Sequence, residues 1–187
     1  AGTSVRLALE HLTVPPHESY KNWIFQKLKL LPASNHFFDH ITAAELKARI
    51  PEKMFNSYFK FCFVRNPWDW QVSLYHYALK QPGHHQKELM QQMDFTQYIH
   101  WRVKEDKHLQ REFMYDESGN CLVDYIGKME NMEEDFAEIC QRIGITAKLP
   151  HSNRSKHKDY REYYTEETKT LVAEHFAADI ETFDYEF

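Results

Sequence analysis

The sequence predicts an α/β fold, a buried parallel sheet flanked by helices, and three observations carry that prediction. The run 58–64, YFKFCFV, is a compact aromatic and apolar stretch of strand length, as expected of a strand covered on both faces. It passes through Arg65-Asn66-Pro67 directly into a helical pattern. Asn66 suits an N-cap and Pro67 the first helical position. Further segments carry helical periodicity with their own start and stop signals.

Taken in order, residues 5–12 read as a helix, with Thr3 or Ser4 as N-cap and Pro15-Pro16 beyond its end. A helix at the very start, with no strand before it, is odd for an α/β unit. We therefore expect a preceding strand that lies outside this sequence. Residues 22–31 are a short amphipathic candidate. Residues 41–50 form another, with Thr42 and Glu45 as a capping box and Pro51 as the stop. The helix from Pro67 runs toward Leu79 and stops near Pro82-Gly83. Residues 84–93 read as a loop or loose helix, and Asp94 caps a helix through Lys104.

Residues 112–126 hold two short strand-like stretches around Asp116-Glu117-Ser118-Gly119-Asn120, a hairpin signal. Asn131 and Glu134 suggest a second capping box. The helix after them carries Met132, Phe136, Ile139, Cys140 and Ile143 on one face and ends at Gly144. Residues 149–160 are a basic, polar loop. Thr165 caps a last helix with Leu171, Val172, Phe176 and Ile180. We find no repeat or linker, so one domain is expected over residues 1–187.

Composition narrows the function. The formal net charge of −5 does not suit a general nucleic-acid binder, which is more often basic, but leaves room for a local anion site. With 5 glycines the chain is not collagen-like. The three cysteines, Cys62, Cys121 and Cys140, form no C-x-x-C pair, which points to free thiols in a reduced compartment. No apolar run approaches the roughly 20 residues that span a bilayer. A cytoplasmic location is expected, or the Golgi lumen or membrane if an anchor precedes this sequence. Oligomeric state is not legible.

The segment 61–77, FCFVRNPWDWQVSLYHY, carries the clearest chemistry. Arg65 falls at the C-terminal end of a strand, where open α/β sheets bind ligands. Asp69, Ser73 and His76 then share one helix face. An arginine fork and a serine hydroxyl can converge on one anion. An arginine capping the sheet and an inert helical serine fit the spacing equally well. The string itself resembles the 3′-phosphate-binding motif of sulfotransferases, R-N-P-x-[DE]-x-x-V-S-x-Y, through Arg65, Asn66, Pro67, Asp69, Val72, Ser73 and Tyr75. The resemblance implies that Arg65 and Ser73 hold the 3′-phosphate of PAPS (3′-phosphoadenosine 5′-phosphosulfate). Trp70 stands where many membrane-associated members have a second arginine.

Other segments extend the likeness over nearly the whole chain. Ala1-Gly2-Thr3-Ser4 resembles the end of the family's 5′-phosphosulfate loop, without its lysine, which implies donor contacts for Gly2, Thr3 and Ser4 at a helix start. In His36-Phe37-Phe38-Asp39-His40 the spacing of His36 and His40 would suit a metal on a helix, or a structural role. His40-Ile41 also resembles the H-x-H-[VI] element of heparan sulfate 2-O-sulfotransferase and its relatives. That makes His40 the implied general base, with Asp39 as runner-up. Residues 122–135 resemble a strand and helix start of this branch, in which Tyr125 and Glu130 are either nucleotide contacts or fold signature. Arg154, Ser155 and Lys156 resemble a basic loop that in the family helps hold the nucleotide, and an ordinary solvated basic loop fits them equally well.

The resemblance implies a P-loop NTPase-like central parallel sheet. It also implies sulfuryl transfer from PAPS, with PAP as product and no metal, to a hydroxyl or amine of an acceptor, a carbohydrate by branch. Trp68, Trp70 and Tyr77 fit sugar stacking or, by preference, the core. Two rivals stay open: a P-loop-type kinase and a non-catalytic PAP-binding module.

Overall fold

The computed structural model describes residues 2–12, 40–105, 108–150 and 158–187. The first helix, α1 (Gly2–Leu9), continues into a 3₁₀ turn, Glu10–Leu12. It starts earlier than expected, so Thr3 and Ser4 lie within its first turn and do not cap it. Helix α2 (Ala43–Arg49) has the expected capping box: the Thr42 hydroxyl accepts from Glu45 N–H and the Glu45 carboxylate accepts from Thr42 N–H. Pro51 ends it but also opens a short helix absent from the sequence reading, α3 (Glu52–Ser57).

Strand β1 is Phe61–Val64, shorter than the apolar run. The Lys60 ammonium donates to the carbonyls of Phe55 and Tyr58, and this binds the residues just before the strand into a turn. Tyr58 is left exposed. Helix α4 (Pro67–Lys80) begins as expected, with the Asn66 side-chain oxygen accepting from Trp68 N–H. It is followed by α5 (Lys87–Gln91) and α6 (Phe95–Glu105).

Strand β2 (Tyr125–Lys128) lies parallel to β1, in a register that runs from Phe61 opposite Tyr125 to Val64 opposite Lys128. Among the described residues the sheet is this one parallel pair. The expected hairpin is reduced to a single antiparallel bridge, Tyr115 to Cys121. Its second stretch serves β1 instead. Gly127 permits the close fit there: a Cβ would stand 2.6 Å from a ring carbon of Phe63.

Helix α7 (Met132–Ile143) ends at Gly144, whose φ of 71° is the left-handed cap expected of it. Its start differs from the expectation. Asn131 makes no side-chain cap, because Met129–Asn131 is already a 3₁₀ turn. The first-turn Asp135 reaches backward instead and accepts from Lys128 N–H and the Tyr125 hydroxyl. Thr165 caps α8 (Glu166–His175). A break at Phe176 separates it from α9 (Ala177–Phe183), where the sequence suggested one helix.

Three apolar clusters position these elements. Trp68, Val72, Ile99, Val172 and Phe176 join α4, α6 and α8. Val64, Met114, Phe183 and Tyr185 pack around the end of β1. Ala8, Phe136 and Cys140, with Phe63 beside them, set α1 against α7 and the sheet. Among the described residues no helix is long and apolar enough to cross a membrane.

Candidate functional site

Val64, 1% exposed, ends β1 in the core, and the next residue turns its side chain toward α4. The Arg65 Nε–H donates to Asp69 Oδ2 at 2.7 Å, one turn into that helix. The pair is largely shielded and holds the guanidinium against the helix face that carries Ser73 and His76. Ser73 is half-buried, and its hydroxyl takes no partner among the described residues. The structure thus brings Arg65 and Asp69 into contact and sets Ser73 one turn further along the same face.

The backbone of this turn is held by side chains from distant elements. Arg65 N–H donates to Gln110 Oε1 at 2.9 Å, and Gln110 Nε2–H donates to the Arg65 carbonyl at 2.8 Å. Gln110 is in turn fixed by Asp179 of α9, whose carboxylate accepts from Gln110 N–H and Arg111 N–H. Asp179 is fully buried. Burial pushes its carboxyl above the usual aspartate range, against the lowering effect of those N–H donors.

Asn66 N–H donates to Glu130 Oε1 at 2.7 Å, and Glu130 Oε2 accepts from the Tyr185 hydroxyl at 3.1 Å. The Asn66 side-chain amide donates to the Glu186 carbonyl at 2.7 Å. Tyr185 has its phenol pushed well up, first by burial and then by the Glu130 charge. Tyr160 also lies within the field of Asp69 and Glu130, though burial is the main cause of its raised phenol pKa.

The remaining sequence candidates are placed as follows. Gly2 and Thr3 are exposed in the first turn of α1 and Ser4 is half-buried. His40 is exposed, with a left-handed φ of 69°, just before the cap of α2. Among the described residues no hydrogen bond or ion pair joins Gly2, Thr3 or His40 to Arg65 or Ser73. His36, Asp39, Arg154, Ser155 and Lys156 lie outside the described residues. Tyr125 and Glu130 use their polar atoms on Asp135, Asn66 and Tyr185, which is the fold-signature role. Trp68 and Trp70 belong to the α4 core, whereas Tyr77 is exposed. Two surface hollows, of about 470 and 260 Å³, share Ala44 and Asp116 in their walls, and neither is lined by Arg65 or Ser73.

Sequence reading missed Gln110, Asp179 and the C-terminal residues that grip the turn. Glu130 had a signal, its place after β2. Gln110 had none, since a glutamine in a polar stretch has no local pattern to mark it.

Chemically, the arrangement leaves one guanidinium edge and one hydroxyl on the same side of the turn, donors of the kind an anion can accept from. Comparison with known proteins gives one archaeal relative, an uncharacterized protein of Archaeoglobus fulgidus. It is 29% identical over 104 residues, which is 56% of this chain and 82% of the relative. No solved structure matches the chain. The sulfotransferase family model matches residues 23–186, a span that takes in Arg65, Ser73, Gln110 and Glu130. The chain belongs to the sulfotransferase family.

Proposed function

We propose that the protein moves a sulfuryl group from PAPS to a hydroxyl of a carbohydrate acceptor. The observation that carries this reading is the Arg65–Asp69 pair at the C-terminal end of β1, with Ser73 on the same helix face. The residues fit the donor. A 3′-phosphate needs convergent N–H and O–H donors, and the guanidinium edge not used on Asp69 and the free Ser73 hydroxyl are of that kind.

Charge bears on the reading as well. Asp69 balances Arg65, and Glu130 stands beside Asn66. The described turn is therefore not cationic overall, and a dianionic phosphate would need more positive charge. Arg154 and Lys156 are our candidates for it, with Ser155 as a further donor. Gly2, Thr3 and Ser4 would receive the 5′-phosphosulfate at the first turn of α1, where the helix dipole favours an anion. The wider P-loop-like sheet belongs to this proposal too.

PAPS supplies the sulfuryl group: an acceptor O–S bond forms, the S–O bond to the 5′-phosphate breaks, and PAP leaves with the electron pair. His40 would take the acceptor proton, since an imidazole nitrogen is the side-chain group suited to general-base work near neutral pH. Arg65 and Ser73 act far from the reacting bond and fix the donor's position.

The test is sulfate transfer from labelled PAPS to a panel of glycans, lipids and phenols, with PAP binding measured in parallel. Transfer to a glycan, lost in His40→Ala while PAP still binds, is the expected result. Preference for ATP with magnesium over PAPS would favour a kinase. PAP binding with no transfer to any acceptor would favour a binding module.

A further inference from the structure

We propose that Gln110 is a positioning residue of the donor site, one that sets the phosphate-holding arginine by gripping its backbone. The inference rests on the donor-binding reading of Arg65 above. Its basis is the two-way amide pair: Arg65 N–H to Gln110 Oε1 at 2.9 Å and Gln110 Nε2–H to the Arg65 carbonyl at 2.8 Å.

The strand explains why such a grip is needed. Pairing of β1 with β2 ends at Val64 opposite Lys128. At Arg65 the chain leaves the sheet, and both its backbone groups would otherwise go unmatched beside the core. A primary amide sets an N–H donor beside a carbonyl acceptor, so one side chain can meet both backbone groups of a residue. Gln110 thus acts as one further residue of strand partner, placed where the motif begins.

The grip is rigid. Gln110 is 9% exposed, and its own N–H is fixed by the buried Asp179 of α9. The neighbouring residue is held separately: Asn66 uses Glu130 and the Glu186 carbonyl. Removing the Gln110 amide therefore loosens Arg65 while Asn66 and the helix start keep their partners. With its backbone fixed and its Nε–H on Asp69, Arg65 has little freedom left. Preorganisation of this kind raises affinity by lowering the ordering cost on binding.

Substitution chemistry follows from the geometry. Gln110→Met keeps length and leaves both Arg65 backbone groups without the amide. Gln110→Glu keeps an acceptor for Arg65 N–H but sets a carboxylate oxygen against the Arg65 carbonyl. Both would be tested in the full-length protein by calorimetric PAP binding, alone and combined with Arg65→Ala. A double-mutant cycle separates positioning from general destabilisation.

In the wild-type background Gln110→Met is expected to weaken PAP about tenfold, the scale of one lost hydrogen bond. In the Arg65→Ala background it should weaken PAP by less than about twofold, because there is no guanidinium left to aim. KM for PAPS should rise while kcat stays within about twofold. Gln110→Glu should show the same coupling, which keeps the test decisive if the Met variant does not fold. Equal losses in both backgrounds, or no loss beside wild type, would overturn the inference.

A wild type that binds no PAP at all would remove the donor reading instead. Amide exchange at Arg65 then decides the point alone. Exchange faster in Gln110→Met than in wild type by about tenfold supports the grip, on the scale of one hydrogen bond. Unchanged exchange overturns it.

Discussion

The turn at Arg65-Asn66-Pro67 and the turn at residues 116–120 are built on opposite plans. At the second, everything is local. The Asp116 carboxylate accepts from Ser118 N–H, Asn120 N–H and the Asn120 amide, and Asp116 N–H donates to the Asn120 carbonyl. Gly119 supplies the left-handed residue, at φ 80°. At the first turn, beside the local Asp69 and Trp68 contacts, the Arg65 and Asn66 backbone N–H groups and the Asn66 side-chain amide reach partners 45, 64 and 120 residues away. A local turn can form whenever its few residues meet. The Arg65 turn forms when α9, the turn after β2 and the C-terminal residues are all in place. The geometry of the Arg65 turn is thereby tied to global folding, while the Asp116 turn can open alone.

The largest expected effect comes from removing what the long-range plan serves. Arg65→Ala should weaken PAP about 100-fold, since two or more charge-assisted hydrogen bonds go with the guanidinium. Isothermal calorimetry would read it. An affinity within threefold of wild type, on the scale of less than one hydrogen bond, would sink the assignment of Arg65 to the phosphate.

Breaking the plan itself comes next. Glu130→Ala strips partners from Asn66 N–H and the Tyr185 hydroxyl at once. Loss of about 2 kcal/mol in unfolding free energy is expected, from groups left unsatisfied at part-buried sites. Glu130→Gln should lose less than half as much, because its amide can accept from Asn66 and donate to the tyrosine oxygen. Urea unfolding measures both, and equal costs for the two variants would argue against the hydrogen-bonded role.

Each region carries a cysteine, which allows the contrast to be read without mutation. Cys62 lies in β1, its thiol pushed up to about 12, mainly by burial and further by Cys121 nearby. Cys121 is exposed beside the Asp116 turn. Alkylation of the native protein should modify Cys121 at least about tenfold faster, because the thiolate is the reactive form. In guanidinium the two rates should converge. Equal native rates would mean that β1 opens as readily as the surface turn.

The same division decides what was legible in the sequence. Asn66, Pro67, the Thr42–Glu45 box, Thr165 and Gly144 act on atoms within four residues, and their roles follow from residue type and spacing. Asn131 has the right type at the right spacing, yet Asp135 closes that helix start by binding back to β2. The strand-like stretch before residue 126 was visible, but its choice of β1 as partner was not, since parallel pairing has no turn signal to mark it. Arg65 and Ser73 were marked as candidates through a motif. The groups that hold the Arg65 backbone were not, because Gln110 and Asp179 are ordinary polar residues until the chain has folded, whereas Glu130 was marked by its place after β2.

The smallest effect expected is a pH response, and its sign differs between the two plans. Asp116 and Asp179 each accept backbone N–H donors, and the ordinary value for both carboxyls is 3.8. Asp116 is in the open, where its bonds to Asn120 lower the pKa. Its contribution is present above 3.8 and is lost as pH falls through the lower, folded value. Asp179 is buried, and desolvation raises its pKa. Its anion is disfavoured in the fold, so the stability linked to this group is fullest below 3.8 and declines as pH rises through the higher, folded value. A carboxyl-resolved NMR titration should therefore give midpoints on opposite sides of 3.8. Amide exchange at Ser118 and Asn120 should quicken below the Asp116 midpoint, with the rest of the chain unaffected. Midpoints on the same side would mean that burial does not separate the two turns as the geometry requires.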